Sequence, residues 1–186
     1  YLETDPVLRQ IEIAKGRQFT MDLFAAHTHH FTYGENFGAA DCGVPIARFA
    51  YRPTRQPIVL DWWTPGTMVA HGDGRSTPTG HFTTIASWQQ GGKDIEWNGD
   101  MYFWSKHREF MVAKDQNIRL RSGWFSDRSA CYLAAGKPVI TQDTGFNNVL
   151  PAGEGLFAFK TMEDIVAAFE AIEAAYDRHS RVARAI

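Results

Sequence analysis

Between Gly123 and Phe146 the chain reads GWFSDRSACYLAAGKPVITQDTGF, and this order of residue types leaves few folds open. Ser126 and Asp127 suit a helix N-cap, Ala130 to Ala135 is a helical apolar run, and Gly136 stands where a left-handed helix end is wanted. The spacing predicts a helix that starts near Arg128. Pro138 to Gln142 then reads as a short buried strand, and Asp143-Thr144-Gly145 as the turn at its carboxyl end. A helix feeding a buried strand is a unit of an open α/β sheet, and ligands of such sheets bind at the carboxyl ends of the strands. Free N–H groups at the helix start, the Arg128 guanidinium and the Ser129 hydroxyl suit a diphosphate. The same order of residues also occurs in α/β proteins that bind no anion, so the pattern alone leaves both outcomes open.

The block resembles the C-terminal domain of GT-B glycosyltransferases, in which a loop, a helix, an AxGxPVI strand and an xxTG turn form a sugar-nucleotide pocket. The matching residues are Ala134, Gly136, Pro138, Val139, Ile140, Thr144 and Gly145. The text LPAGEGLFAFKTMEDIVAAFEAI continues the likeness with a strand and a helix opened by an xxED element, so that it covers residues 111–176 best. Many retaining members carry two glutamates eight positions apart, the second holding the nucleotide ribose. The corresponding positions here are Gly123 and Cys131, which implies a divergent branch in which Asp127, Arg128 and Ser129 supply the polar contacts.

The resemblance implies an α/β fold of GT-B type. A Rossmann-like C-terminal domain with a parallel sheet would occupy 76–186, and part of a second Rossmann-like domain, on the acceptor side, would occupy 1–75. The implied activity is transfer of a sugar from a nucleoside-diphosphate sugar to an acceptor. The leaving diphosphate gathers negative charge, so Arg128 is the first candidate to hold it, with Ser126, Asp127 and Ser129 beside it. Lys114, Arg119 and Arg121 in VAKDQNIRLRS are alternates, and solvated surface positions are equally open to them. Thr144, Gly145, Phe146 and Asn147 would offer backbone N–H groups and an amide. Trp124 is a candidate for the base pocket or for the core. No Asp-x-Asp motif occurs, which predicts metal-independent transfer with no cofactor beyond the donor itself.

On the acceptor side the resemblance implies contacts from His27, His29, His30, Tyr33, Glu35 and Asn36. Deprotonating an acceptor hydroxyl needs a group of near-neutral pKa, which singles out His30 and Glu35 as catalytic candidates. Tyr33 and Phe31 could stack on a sugar. A second reading starts from His27-Thr28-His29-His30 itself. On a strand His27 and His29 would share a side and could hold a catalytic metal of a hydrolase. That reading lacks a third ligand, because His71, His81, His107 and His179 show no organised spacing. A third is a sugar-nucleotide epimerase or a binding module with the same pocket.

Composition bounds these readings. With 19 Lys and Arg against 21 Asp and Glu, and no basic run, a nucleic-acid or membrane-surface role is not expected. No apolar stretch of about 18 residues occurs. The acidic opening segment does not read as a signal peptide, and Cys42 and Cys131 form no disulfide or zinc framework, which points to a cytoplasmic protein. An intact two-domain enzyme is about twice as long as these 186 residues. The expectation is a fragment, or a chain from which segments are missing, with a junction near Lys106 to Glu109.

Along the chain, Tyr1 to Thr4 reads as the tail of a strand. Asp5 and Pro6 open a helix carrying Val7, Leu8, Ile11 and Ala14 and ending at Gly16. Phe19 to Ala26 fits a helix or a strand. Gln56 to Trp63 reads as a strand, Thr64 to Gly80 as a linker, and Phe82 to Trp88 as the first strand of the second domain. Thr161 and Asp164 form a capping box for a C-terminal helix with Ile165, Phe169, Ile172 and Tyr176 on one face and Arg178, Arg181 and Arg184 in its solvated tail.

Overall fold

The computed structural model describes residues 1–65, 68–70, 76–78, 82–83, 93–104 and 113–186. It is a mixed α/β structure with small parallel sheets, and it packs as two units. Unit one comprises Tyr1–Gln56, Ser87–Phe125 and Asp143–Val149, and unit two comprises Pro57–Ala86, Ser126–Gln142 and Leu150–Ile186. Each unit is thus assembled from three stretches of chain. Most of the expected strand Phe82 to Trp88, the suspected junction at Lys106 to Glu109, and His71, His81 and His107 lie outside the described residues.

Unit one is built on a parallel sheet of β1 (Leu2–Glu3), β2 (His30–Thr32) and β3 (Tyr51–Pro53), in that order. The crossover from β1 to β2 carries α1 (Leu8–Ala14) and α2 (Gln18–Ala25), which pack on each other. The ambiguous segment at Phe19 to Ala26 is therefore helical, and it buries Thr20, Met21 and Phe24 at the 3–4 spacing of one helix face. Phe24 is fully buried with Ile13 and Met21 against Tyr1, Phe49 and Tyr51, a burial worth about 2–3 kcal/mol. Asp5 does not cap α1. The Asp5 carboxylate pairs with Lys114, and the helix starts after Val7, whose N–H donates to Gln10 Oε1 at 2.7 Å. Val7 has φ +100°, a strained backbone for a β-branched residue.

An antiparallel hairpin of β6 (Ile95–Trp97) and β7 (Asp100–Tyr102) turns on Asn98 and Gly99, both at positive φ, as a two-residue hairpin loop demands. The loop expected at VAKDQNIRLRS contains a short helix, α3 (Asp115–Arg119).

In unit two the expected strand at Gln56 to Trp63 is absent. A 3₁₀ turn at Leu60–Trp62 stands there, because no strand pairs with this run and its carbonyls bind a side chain instead: Arg184 donates to Leu60 O at 3.0 Å and Trp63 O at 2.6 Å. The expected linker contains two short strands, β4 (Met68–Ala70) and β5 (Ser76–Pro78), paired antiparallel. Helix α4 (Asp127–Ala134) ends as the sequence predicts. Gly136, at φ +65°, donates to Leu133 O and Lys137 to Tyr132 O, the paired bonds of a Schellman cap. The chain then enters β8 (Val139–Gln142), which pairs in parallel with β9 (Leu156–Phe159).

The C-terminal helix is two helices, α5 (Met162–Ala174) and α6 (Tyr176–Ala185), broken at Ala175. The capping box of α5 forms, with Thr161 Oγ1 accepting from Asp164 N–H at 3.3 Å and Asp164 Oδ2 accepting from Thr161 N–H at 2.9 Å. Thr161→Ala should cost about 1 kcal/mol, read as a lower urea midpoint with unchanged m-value. Arg184 is no solvated tail residue, since besides Leu60 and Trp63 it binds Ala134 O at the end of α4.

Candidate functional site

The Gly123 to Phe146 block feeds both units: 123–125 and 143–146 belong to unit one and 126–142 to unit two. In unit two, α4 packs on β8 after a four-residue connection, so the helix runs antiparallel to the strand and starts at its carboxyl end. Ser126 occupies the N-cap in an extended conformation, yet its side chain makes no capping hydrogen bond. Such a helix start carries unsatisfied N–H groups and about half a positive charge. Asp127 and Arg128 are exposed, and Ser126 and Ser129 are half-buried. Among the described residues Arg128 has no ion-pair partner.

The alternate cations are all in unit one and are all engaged. Lys114 is buried, pairs with Asp5 and lies over the Trp104 ring at 3.2 Å. Arg119 donates to Met101 O at 2.8 Å, lies over Tyr102 and faces Asp100 and Asp115, each at 3.4 Å. Arg121 bridges Asp41 at 2.6 Å and Asp143 at 3.1 Å. The polar loop after β8 is likewise occupied. Thr144 is buried with Oγ1 donating to Trp124 O at 2.6 Å, and Gly145 N–H donates to Asp143 Oδ1 at 2.7 Å. Phe146 is buried against Phe125, and only Asn147 of this group is exposed.

The acceptor candidates separate along β2. His30, at its start, is buried with Nε2 on Phe24 O at 2.8 Å and its ring among Phe24, Phe49 and Tyr51. Glu35, beyond the carboxyl end of the strand, chelates Arg55 Nε at 2.9 and 3.0 Å. The two candidates are therefore not brought together. Tyr33 is buried and Phe31 is 38% exposed. Asn36 is a buried hub: its Nδ2 donates to Asp41 and Arg121 O, its Oδ1 accepts from Asn148, and its N–H donates to Ser122 O. Hydrogen bonds from Asn36, Arg121 and Asn148 hold the Asp41 carboxyl well below the usual range. His27 and His29 precede β2 and do not alternate along it, and no group of three metal-binding side chains occurs among the described residues.

Sequence reasoning missed the residues at the carboxyl end of β1. Glu3 is 3% exposed, with Oε2 accepting from Gln10 Nε2 at 2.5 Å and from the more distant Thr32 Oγ1 at 3.4 Å. Burial in these surroundings pushes its carboxyl up to about 8. Gln116 and Asn117, in the first turn of α3, are fully buried. A strand-end glutamate followed by Asp-Pro was the one local sign of this place. No helix of the described residues is long and apolar enough to cross a membrane. No protein-family model, curated protein or solved structure matches this chain.

Proposed function

We propose that the chain is the donor-binding part, with a portion of the acceptor part, of a GT-B-type glycosyltransferase acting on a nucleoside-diphosphate sugar. The observation that carries this is the start of α4, a helix N-terminus at the carboxyl end of a parallel strand whose N-cap side chain makes no capping bond, with Arg128 exposed beside it and without an ion-pair partner among the described residues. In the reaction the bond between the sugar's anomeric carbon and the distal phosphate oxygen breaks, while the acceptor oxygen bonds to that carbon and loses its proton. Negative charge grows on the departing diphosphate. Fixed positive groups there lower the barrier without reorganising, which is the role given to the first-turn N–H groups and Arg128. Ser126 and Ser129 would add hydroxyl donors to the phosphate oxygens.

The engagement of Lys114 and Arg119 with carboxylates and rings of unit one leaves Arg128 as the cation best suited to the diphosphate. For the acceptor proton, Glu35 is favoured over His30. Its carboxylate stands at the ligand-binding edge of a parallel sheet, whereas the His30 imidazole is committed to a core carbonyl. The test is calorimetry with the nucleoside diphosphates of uridine, guanosine, adenosine and thymidine. One of them should bind, and Arg128→Ala should weaken that binding by about 1.5–3 kcal/mol, roughly 10- to 100-fold. Absence of binding by all four removes the proposal.

A further inference from the structure

Helix α1 ends in a glycine turn that fixes a cation. Gly16, at φ +75°, donates its N–H to Ile13 O and Arg17 donates its N–H to Glu12 O, both at 2.9 Å, so the last helix carbonyls are satisfied and the Arg17 backbone is held. The Glu12 carboxylate is buried and accepts from Arg17 Nη1 at 2.5 Å, Arg9 Nη1 at 2.8 Å and Thr20 Oγ1 at 2.7 Å. The Arg17 side chain is 66% exposed, and this one contact leaves its Nε and Nη2 edge without a partner among the described residues. An open cavity of about 540 Å³ begins here, between Leu8, Glu12, Lys15 and Arg17 on one side and Lys93, Asp94 and Ile95, leading into β6, on the other. Both walls belong to unit one. They are tied by Lys15 Nζ on Glu96 Oε2 at 2.7 Å and by Ile95 packed on the core that holds Val7 and Ile11. A volume of this size falls in the range of roughly 300–1,000 Å³ usual for small-ligand sites.

We propose that this cavity binds a small aliphatic monocarboxylate, its carboxylate on the free edge of Arg17 and on Lys93 and its hydrocarbon part on Leu8 and Ile95. The open side of a guanidinium offers two parallel N–H groups, which match the two oxygens of a carboxylate. Lys93 lies over the Trp104 ring at 4.5 Å and has no carboxylate partner among the described residues. Asp94 is engaged, its Oδ1 accepting from Trp104 N–H at 2.8 Å. Counting the charged side chains of the cavity with the partners they bind, the cations Arg9, Lys15, Arg17 and Lys93 stand against the carboxylates Glu12, Asp94 and Glu96. One negative charge balances this set. A second would be repelled by Glu12 and Asp94 and by the carbonyl end of α1, which disfavours a dicarboxylate or phosphate. Half-buried Leu8 and Ile95 favour a ligand that covers them with methylenes. The site involves neither α4 nor Glu35 and does not rest on glycosyl transfer.

The test is NMR of the chain with assigned methyl and arginine Nε–H signals, titrated with butyrate, hexanoate, succinate and inorganic phosphate at constant ionic strength and without nucleotide. Butyrate and hexanoate should shift the Leu8 and Ile95 methyl signals and the Arg17 Nε–H. Each methylene covered tightens binding by about 3- to 4-fold, so hexanoate should bind about 10-fold more tightly than butyrate, and also more tightly than succinate or phosphate. Arg17→Gln should weaken hexanoate binding by roughly 10-fold or more. Lys93→Gln, which breaks no ion pair of the described residues, should weaken it by about 2- to 5-fold. Absence of shifts with both monocarboxylates overturns the site. Succinate or phosphate binding as tightly as hexanoate overturns it too, because general attraction of anions then suffices, and so does hexanoate binding that survives Arg17→Gln. Should Arg17→Gln fail to fold, Lys93→Gln decides, and an unchanged hexanoate affinity in that variant overturns the site.

Discussion

Gly123→Ala is expected to cost about 4 kcal/mol or more and to leave unit one poorly folded. Gly123 has φ +79°, and a Cβ on it would lie 2.2 Å from Asn36 N and 2.7 Å from Asn36 Cβ. The left-handed backbone alone costs an alanine about 1–2 kcal/mol. Relief of the overlap requires moving Asn36, and Asn36 cannot move cheaply. Its N–H donates to Ser122 O at 3.2 Å, and its amide binds Asp41, Arg121 O and Asn148. Each of these bonds is worth roughly 1 kcal/mol, and a group left buried without its partner costs more. Gly99→Ala is the control: φ is +83°, but nothing lies within 4 Å of the added Cβ, so only the backbone cost of about 1–2 kcal/mol applies. Urea unfolding of the two variants separates close approach from backbone strain. Equal losses would show that the contact with Asn36 carries no weight.

The parts of this fold that could be read from the sequence are those fixed by neighbours along the chain. Helix α4, its glycine cap and the entry to β8 follow from residues within a few positions of one another, and so does the Thr161 capping box. Asn98-Gly99 was an equally local hairpin signal, and it sat between aromatic and apolar residues that obscured it. Strands β1 to β3 are two or three residues long, too short to show a period. They exist because Leu2 pairs with Phe31 and His30 with Tyr51 across the chain. The converse error was at Gln56 to Trp63, where β-forming residues have no strand to pair with, and an arginine from the far end of the chain takes their carbonyls.

The candidate site divides in the same way. Arg128 at the helix start was visible because an N-terminus is a local feature. The engagement of Lys114 was not visible, since Asp5 is 109 positions away. Burial of Gln116 and Asn117 is likewise a product of tertiary packing. In sequence they are two polar residues in a segment that reads as a solvated loop, and His30 conversely reads as a free imidazole until the Phe24 carbonyl is seen beside it.

Glu3 makes stability depend on pH in the direction opposite to carboxylates that are held low by hydrogen bonds or cations, such as Asp41. Its carboxyl is about 8 in the folded chain against 4.5 for the unreacted group, chiefly because burial disfavours the charge. Below pH 4.5 both states carry the proton and its contribution is fully present. Between 4.5 and about 8 the folded chain holds a proton that the unfolded chain has released, so stability falls as pH rises, by about 1.4 kcal/mol per unit. Above about 8 no further loss occurs. The full span corresponds to roughly 4–5 kcal/mol, a large part of the 5–15 kcal/mol typical of a folded domain. Glu3→Gln removes the titration and leaves a side-chain oxygen to accept from Gln10 Nε2. The variant should be close to wild type near pH 5 and increasingly more stable than wild type toward pH 8, with the gap measured by urea unfolding at half-unit steps. Glu12 and Asp41, whose carboxyls are held low, titrate below this window and do not mask it. A gap that stays constant from pH 5 to 8 would mean that Glu3 is already ionised in the folded chain. The unpaired Oε1 would then be a buried charge facing Asp5, a harder arrangement to hold closed than the neutral carboxyl argued for here.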